Sequence, residues 1–110
     1  MKVVSALTAA RDAVSAQPSR PATALLHDSA DARAVVFRIE AGQEVAPHTS
    51  TSTVLLSVVA GSGTVSGASE ERPVSAGDLV TYEPGELHGM KAGSEQLVLV
   101  AVITPRPGAR

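Results

Sequence analysis

Residues 77–88 read Gly-Asp-Leu-Val-Thr-Tyr-Glu-Pro-Gly-Glu-Leu-His, and this stretch decides the fold. The Gly77-Asp78 pair predicts a tight turn, because glycine accepts positive φ and aspartate bonds its own backbone. Residues 79–82 are apolar and partly β-branched, which predicts a strand. Residues 83–86 contain a Pro-Gly pair that predicts a second turn. A strand held between two turns would aim the imidazole of His88 at a fixed point.

A second loop with a histidine lies upstream, where Gly42 is followed after five residues by His48 and the segment closes at Gly61. The two stretches together resemble the two sequence motifs of the cupin superfamily, the RmlC-like jelly-roll proteins with the cupin type-2 barrel. Six positions carry the resemblance: Gly42, His48 and Gly61 in the first motif, and Gly77, Gly85 and His88 in the second. The resemblance covers roughly residues 35–104.

The sequence departs from the family pattern at the positions that carry its chemistry. Ser50 stands in the place of the second histidine of the first motif. Val54, or Leu55 with the longer spacing, stands in the place of the glutamate, and Ala92 replaces the asparagine of the second motif. The resemblance therefore specifies a fold more strongly than a reaction.

Composition independently favours a β-rich core. The chain has 110 residues, enough for one domain, with 44% apolar and 18% charged residues. Aromatic residues make up only 2%, namely Phe37 and Tyr82. The core must therefore consist of valine, leucine, isoleucine and alanine, which suits sheet packing. Few aromatic residues and a net charge of −2 also argue against a nucleic-acid partner.

The sequence lacks cysteine and lacks a long apolar run, and both absences exclude classes of site or location. The sequence has no cysteine, which excludes disulfides, thiolate metal ligands and a cysteine nucleophile. No apolar run approaches the roughly 20 residues of a membrane span, and the apolar start is too short for a signal peptide. We therefore expect a cytoplasmic protein without a membrane partner.

Turn signals every eight to twelve residues predict an all-β antiparallel sandwich or barrel. The predicted strands lie at 22–27, 34–39, 54–60, from 64 onward, 79–82 and 96–104, with turns at 61–63 and 93–95. The run at 54–60 is expected to be buried on both faces. The resemblance selects a jelly roll, an antiparallel double-stranded β-helix, with one short N-terminal α-helix.

The order along the chain predicts three segments. A helix is expected from Ser5 to Ala16, capped by Ser5 and ended by the prolines that follow. Residues 1–19 then form the helix and linker, residues 20–104 the cupin barrel, and residues 105–110 a disordered tail.

The resemblance also predicts a pocket inside the barrel. Side chains alternate along a strand, so Ser50 shares the face of His48, and Met90 shares the face of His88. The predicted ligand pocket contains His48, Ser50, His88 and Met90, with Tyr82 and Phe37 as walls. The hydroxyl run at 49–53 is either a solvated loop or part of the pocket wall.

The same two histidines are the candidate metal ligands, but the set is incomplete. Catalytic metal sites usually take three protein ligands, whereas only His48 and His88 remain at the motif positions. They would hold a divalent ion such as zinc, nickel, iron or manganese. The remaining candidates are carboxylates in predicted turns and a histidine of undetermined direction, namely Glu44, Glu83, Glu86 and His27.

Three functional hypotheses follow, and the favoured one assigns no catalytic residues. The favoured one is a small-molecule-binding or sensing cupin whose metal site is degenerate. The alternative is a metal-dependent cupin enzyme, an oxygenase or isomerase, that uses His48 and His88. The third is metal-free acid–base catalysis by the histidine pair with Tyr82 as donor, for which no matching aspartate is evident. A homodimer that covers exposed sheet edges is expected in each case.

Overall fold

The computed structural model describes residues 1–108, which contain one helix and seven strands. They are α1 Ala6–Asp12, β1 Ala22–Asp28, β2 Arg33–Ile39, β3 Glu44–His48, β4 Thr53–Ser66, β5 Glu71–Ser75, β6 Leu79–Tyr82 and β7 His88–Thr104. Every strand pairing is antiparallel. The predicted all-β antiparallel class with one short N-terminal helix is confirmed.

Two long strands, β4 with 14 residues and β7 with 17, connect the two halves of the sheet. They pair with each other from Thr53↔Thr104 to Ser66↔Gly89. The C-terminal half of β7 also pairs with β2, and its N-terminal half pairs with β3. On the other side, β4 pairs with β6 through its first half and with β5 through its second. This arrangement is the predicted jelly roll.

The turns predicted at 61–63 and 93–95 are wrong, because β4 and β7 run through both places. The β4–β7 register instead shifts between Val58 and Ala60 and again between Gly61 and Gly63. Gly61 has φ +75°, which bends the strand at the bulge without ending it. The glycines at 61 and 63 therefore mark a bend inside β4. Through this bend β4 passes from one half of the sheet to the other.

Two other strand predictions need correction. β3 pairs with β7 but ends at His48, so Ser50 lies in the loop that follows and not on the strand that the alternation argument assumed. The run at 54–60 is buried on one face only: Val54, Leu56 and Val58 are buried, whereas Ser57 between them is exposed. The outer face of β4 is covered by the α1 cluster at Val59 and Ala60 and is open at Ser57.

The main core fills the space between the two halves of the jelly roll. Its largest fully buried side chains include Ile39, Leu56, Leu97 and Leu99. Full burial of each such side chain contributes about 1.5–3 kcal/mol to the stability of the fold. Aliphatic packing thus replaces the aromatic residues that the sequence lacks.

The helix α1 packs on the outside of the sheet, where Ala10 meets Val36 and Val98. Ser5 caps it as predicted, because its Oγ accepts a hydrogen bond from the Thr8 amide at 3.2 Å. The helix ends at Asp12, earlier than the predicted Ala16. Arg38 of β2 donates to three backbone carbonyls at this C-terminus. These carbonyls therefore have partners without the amides of a further helical turn.

Residues 105–108 lie against the barrel, although the sequence predicted a disordered tail from 105 onward. The Ser52 hydroxyl donates to the Pro105 carbonyl at 2.7 Å, and Arg106 Nε donates to Asp28 Oδ1 at 2.6 Å. The Arg106 guanidinium is the main reason that the pKa of Asp28 falls to about 2, with Arg33 adding to it. The remaining tail residues, 109 and 110, lie outside the described residues.

Positive φ is confirmed at Gly77 (+99°) and Gly85 (+86°), the turn glycines that flank β6. Gly61 is under a further constraint. A Cβ there would lie 1.7 Å from the Gln96 carbonyl oxygen, whereas a Cβ at Gly85 would meet nothing within 4 Å. The bend in β4 therefore needs glycine for space as well as for conformation.

We expect Gly61→Ala to lower the free energy of unfolding by about 4 kcal/mol or more, because backbone atoms must move. Gly85→Ala is the matched control, with the same positive φ but open space, and should cost only about 1–2 kcal/mol. Urea denaturation of both variants measures the difference. Equal losses would show that β7 does not approach β4 as closely as described.

Candidate functional site

A cavity of about 230 Å³ opens inside the barrel, and both motif histidines lie in its wall. We call it the histidine cavity. Its lining residues are Phe37, His48, Thr49, Ser50, Val54, Leu56, His88, Met90, Ala101, Ile103 and Pro107. The cavity is therefore aliphatic over most of its wall, with imidazole and hydroxyl groups as its polar part.

The two histidines meet because β3 and β7 place them opposite each other, as the register pair His48↔His88. Their ring centroids are 4.1 Å apart with an angle of 61° between the planes, an edge-to-face contact. His88 is only 3% exposed, whereas His48 is exposed. His48 thus lies towards solvent and His88 lies deep in the cavity wall.

Backbone carbonyls fix which nitrogen of each ring carries the proton. His48 Nδ1 lies 3.0 Å from the Ala46 carbonyl oxygen, and His88 Nδ1 lies 3.2 Å from the Glu86 carbonyl oxygen. A carbonyl only accepts hydrogen bonds, so each Nδ1 must be the donor. In the neutral rings, each Nε2 is then left with a free lone pair.

Burial lowers the pKa of His88 below the usual 6.5, which favours the neutral ring. The Glu86 carbonyl opposes this shift in part, and the neighbouring His48 adds a smaller lowering effect. The third neighbouring group is the un-ionised phenol of Tyr82. The unfolded chain binds a proton at His88 more readily than the folded protein does. The stability that the neutral, packed His88 contributes is therefore present above pH 6.5, and it is lost as the pH falls through the lower pKa of the folded state.

Tyr82 supports His88 but does not line the cavity. The ring centroids of Tyr82 and His88 are 5.1 Å apart. The Tyr82 hydroxyl donates to the Ser66 carbonyl at 2.9 Å, and burial raises its pKa above 10.0, as does the nearby Glu86. A phenol held in this way is not free to act as the donor of an acid–base pair.

The turn before His88 is attached to the first motif. The Gly85 amide donates to the Ser50 carbonyl at 2.8 Å, and the Glu83 amide donates to Glu86 Oε1 at the same distance. Ser50 and the 83–86 turn are thereby fixed to each other beside the cavity. The spacing of the two motifs gave no direct sign of this link.

A larger groove of about 500 Å³ lies on the other side of Tyr82, along β5 and β6. Its walls carry charged side chains, including Glu70, Arg72 and Asp78. We take the smaller cavity as the candidate site, since it is the one that brings the two histidines together within an aliphatic wall.

Of the other residues that the sequence assigned to the pocket, Phe37, Ser50 and Met90 line the histidine cavity. Further lining residues were missed: Val54, Leu56, Ala101, Ile103 and Pro107. The first four follow from strand alternation, given the pairing of β4 with β7. Pro107 had no local signal, because its position depends on the distant contact between Arg106 and Asp28.

The residues present do not fit a resident divalent metal. Within residues 1–108, no three histidine, cysteine, aspartate or glutamate side chains lie close enough to hold one. His27 is exposed on β1, and neither it nor any of the candidate carboxylates is among the residues that line the cavity. Among the described residues, each side-chain nitrogen or oxygen that is fully buried has a hydrogen-bond partner.

Comparison with protein families places the chain in one of them: the AraC-like ligand-binding domain matches residues 33–110. No protein of curated function matches the sequence. None of the helices in residues 1–108 has the length and apolar character that a membrane crossing requires.

Solved structures share the fold. An uncharacterised conserved protein with a double-stranded β-helix domain from Klebsiella pneumoniae is 24% identical, with a TM-score of 0.84 over 100% of this chain and 94% of that one. TT1209 from Thermus thermophilus is 19% identical, with a TM-score of 0.86 over 97% of this chain and 100% of that one. An RmlC-like cupin protein from Desulfovibrio desulfuricans is 25% identical, with a TM-score of 0.75 over 86% and 91%.

Proposed function

Since this chain is a small cupin that belongs to the AraC-like ligand-binding domain family, we propose that it binds a small molecule in the histidine cavity. It acts in this proposal as a binding or sensing module. The observation that carries the proposal is the cavity itself, about 230 Å³ of space with aliphatic walls and a small polar part. Small-molecule sites usually combine these features.

The state of the polar groups supports binding over catalysis. The Tyr82 hydroxyl is engaged with the Ser66 carbonyl, and Glu86 accepts from the backbone of its own turn. The two imidazoles are then the groups of the site that remain for proton transfer. Without a metal ligand set or a carboxylate beside them, they are better suited to orient a ligand.

Titration with neutral fragments of seven to ten heavy atoms, followed by two-dimensional NMR of backbone amides, tests the proposal. We expect shift changes concentrated at the lining residues of β2, β4 and β7. Ala101→Leu adds three carbon atoms to the cavity wall and should abolish these changes. Ala76→Leu, at an exposed position in a turn, is the control and should leave them intact.

Binding that Ala101→Leu leaves unchanged would contradict the proposed location. A fragment set from which nothing shifts the cavity residues would contradict the proposed function.

We also propose that the protein forms a homodimer through the outer face of the sheet. Two rows of cross-strand neighbours cross the part of this face that α1 leaves open: Leu79 and Ser57, and beside them Thr81, Leu55, Val102 and Ala34. The next residue of the first row, Val100, packs against the α1 cluster. No charged side chain stands in either row, so a second copy can meet the same face without like-charge repulsion. Leu79 is 63% exposed in the single chain, although it is large and apolar.

Light scattering at micromolar concentration is expected to give the mass of two chains. Leu79→Lys should give the mass of one, because a charge would be buried between the faces. Leu25→Lys changes a leucine of similar exposure, 60%, on the edge strand β1 and should remain dimeric. A single-chain mass for the unmodified protein would refute the dimer.

A further inference from the structure

The lone pairs in the histidine cavity indicate what kind of head group the ligand has. Each Nδ1 is occupied by a backbone carbonyl, so each neutral imidazole can offer the cavity only an acceptor. The acceptor on His88 is the stronger candidate for recognition. Its ring is 3% exposed, whereas solvent competes for the exposed His48.

The rest of the wall carries no formal charge. None of its residues is aspartate, glutamate, lysine or arginine. A charged ligand head would therefore lose its hydration without an opposite charge to compensate, which is strongly unfavourable. The wall thus favours an uncharged ligand.

The size and the polar content of the cavity limit the ligand further. A volume of about 230 Å³ corresponds to about eight water molecules at roughly 30 Å³ each. Polar side chains come only from His48, Thr49, Ser50 and His88. A polyol would leave several hydroxyl groups against aliphatic carbon, whereas a molecule with one polar head would not.

We propose that the ligand is a small, uncharged molecule of about eight heavy atoms, with an apolar body and one O–H or N–H group that donates to Nε2 of His88. Phenols, small alcohols and small amides have this chemistry. The apolar body lies against Phe37, Met90 and Ile103. This inference rests on the proposed function and specifies the class of ligand that the same site takes.

Three probes of nearly equal size and shape test the inference. Phenol carries the donor, anisole replaces it with a methyl ether, and toluene has no oxygen. Affinities are measured at pH 7.5 by titration of backbone amide shifts. A hydrogen bond to Nε2 of His88 should make phenol bind about tenfold more tightly than anisole or toluene.

Two variants identify the acceptor. His88→Phe keeps the aromatic body but removes the lone pair, so phenol should lose its advantage while toluene still binds. Met90→Leu changes an apolar wall residue next to it in the cavity and should keep the preference for phenol. If His88→Phe does not fold, the comparison of the three probes on the unmodified protein still decides the question.

The outcomes separate the two proposals. Equal binding of phenol, anisole and toluene at the cavity would overturn the donor inference and leave the small-molecule function standing. Failure of all three probes to shift the cavity residues would overturn both. A phenol preference that persists in a folded His88→Phe variant would also refute the assignment of His88 as the acceptor.

Discussion

The pairing of β4 with β7 is the constraint on which the rest of the structure depends. β4 has 14 residues and β7 has 17, and each pairs with a different strand along each of its halves. Because they stay paired while they bend, the other strands need only add to their edges. Gly61 makes the bend possible, since β7 passes where any Cβ at that position would lie. A close backbone approach therefore determines how the two halves enclose a core.

The candidate site follows from the same two strands. β7 begins with His88, and β3 joins its first half so that His48 stands directly opposite. The later residues Ala101 and Ile103 of β7 face Leu56 and Val54 of β4 across the ladder and form the aliphatic wall. β7 thus contributes His88 to the polar part of the histidine cavity from its first half, and Ala101 and Ile103 to the aliphatic wall from its second half. The cavity is a consequence of the bend as much as of the motif.

Sequence reasoning succeeded where a residue type carries a unique physical property. Positive φ at Gly77 and Gly85 could be inferred from turn chemistry, and alternation placed Met90 on the face of His88. It failed where the outcome depends on a distant partner. A turn and a bend at Gly61 look alike locally, and only the backbone of β7 distinguishes them. The end of α1 depends in the same way on Arg38, and the position of Pro107 depends on Asp28.

The central claim is that His48 and His88 present two unprotonated Nε2 atoms to one cavity. Nitrogen-15 NMR of the imidazole rings at pH 7.5 tests it most directly, with a His27→Gln variant to remove the third histidine. The account predicts a proton on Nδ1 of both rings, held by the carbonyls of Ala46 and Glu86. A proton on Nε2 of either ring would contradict it, because that ring would then offer the cavity a donor.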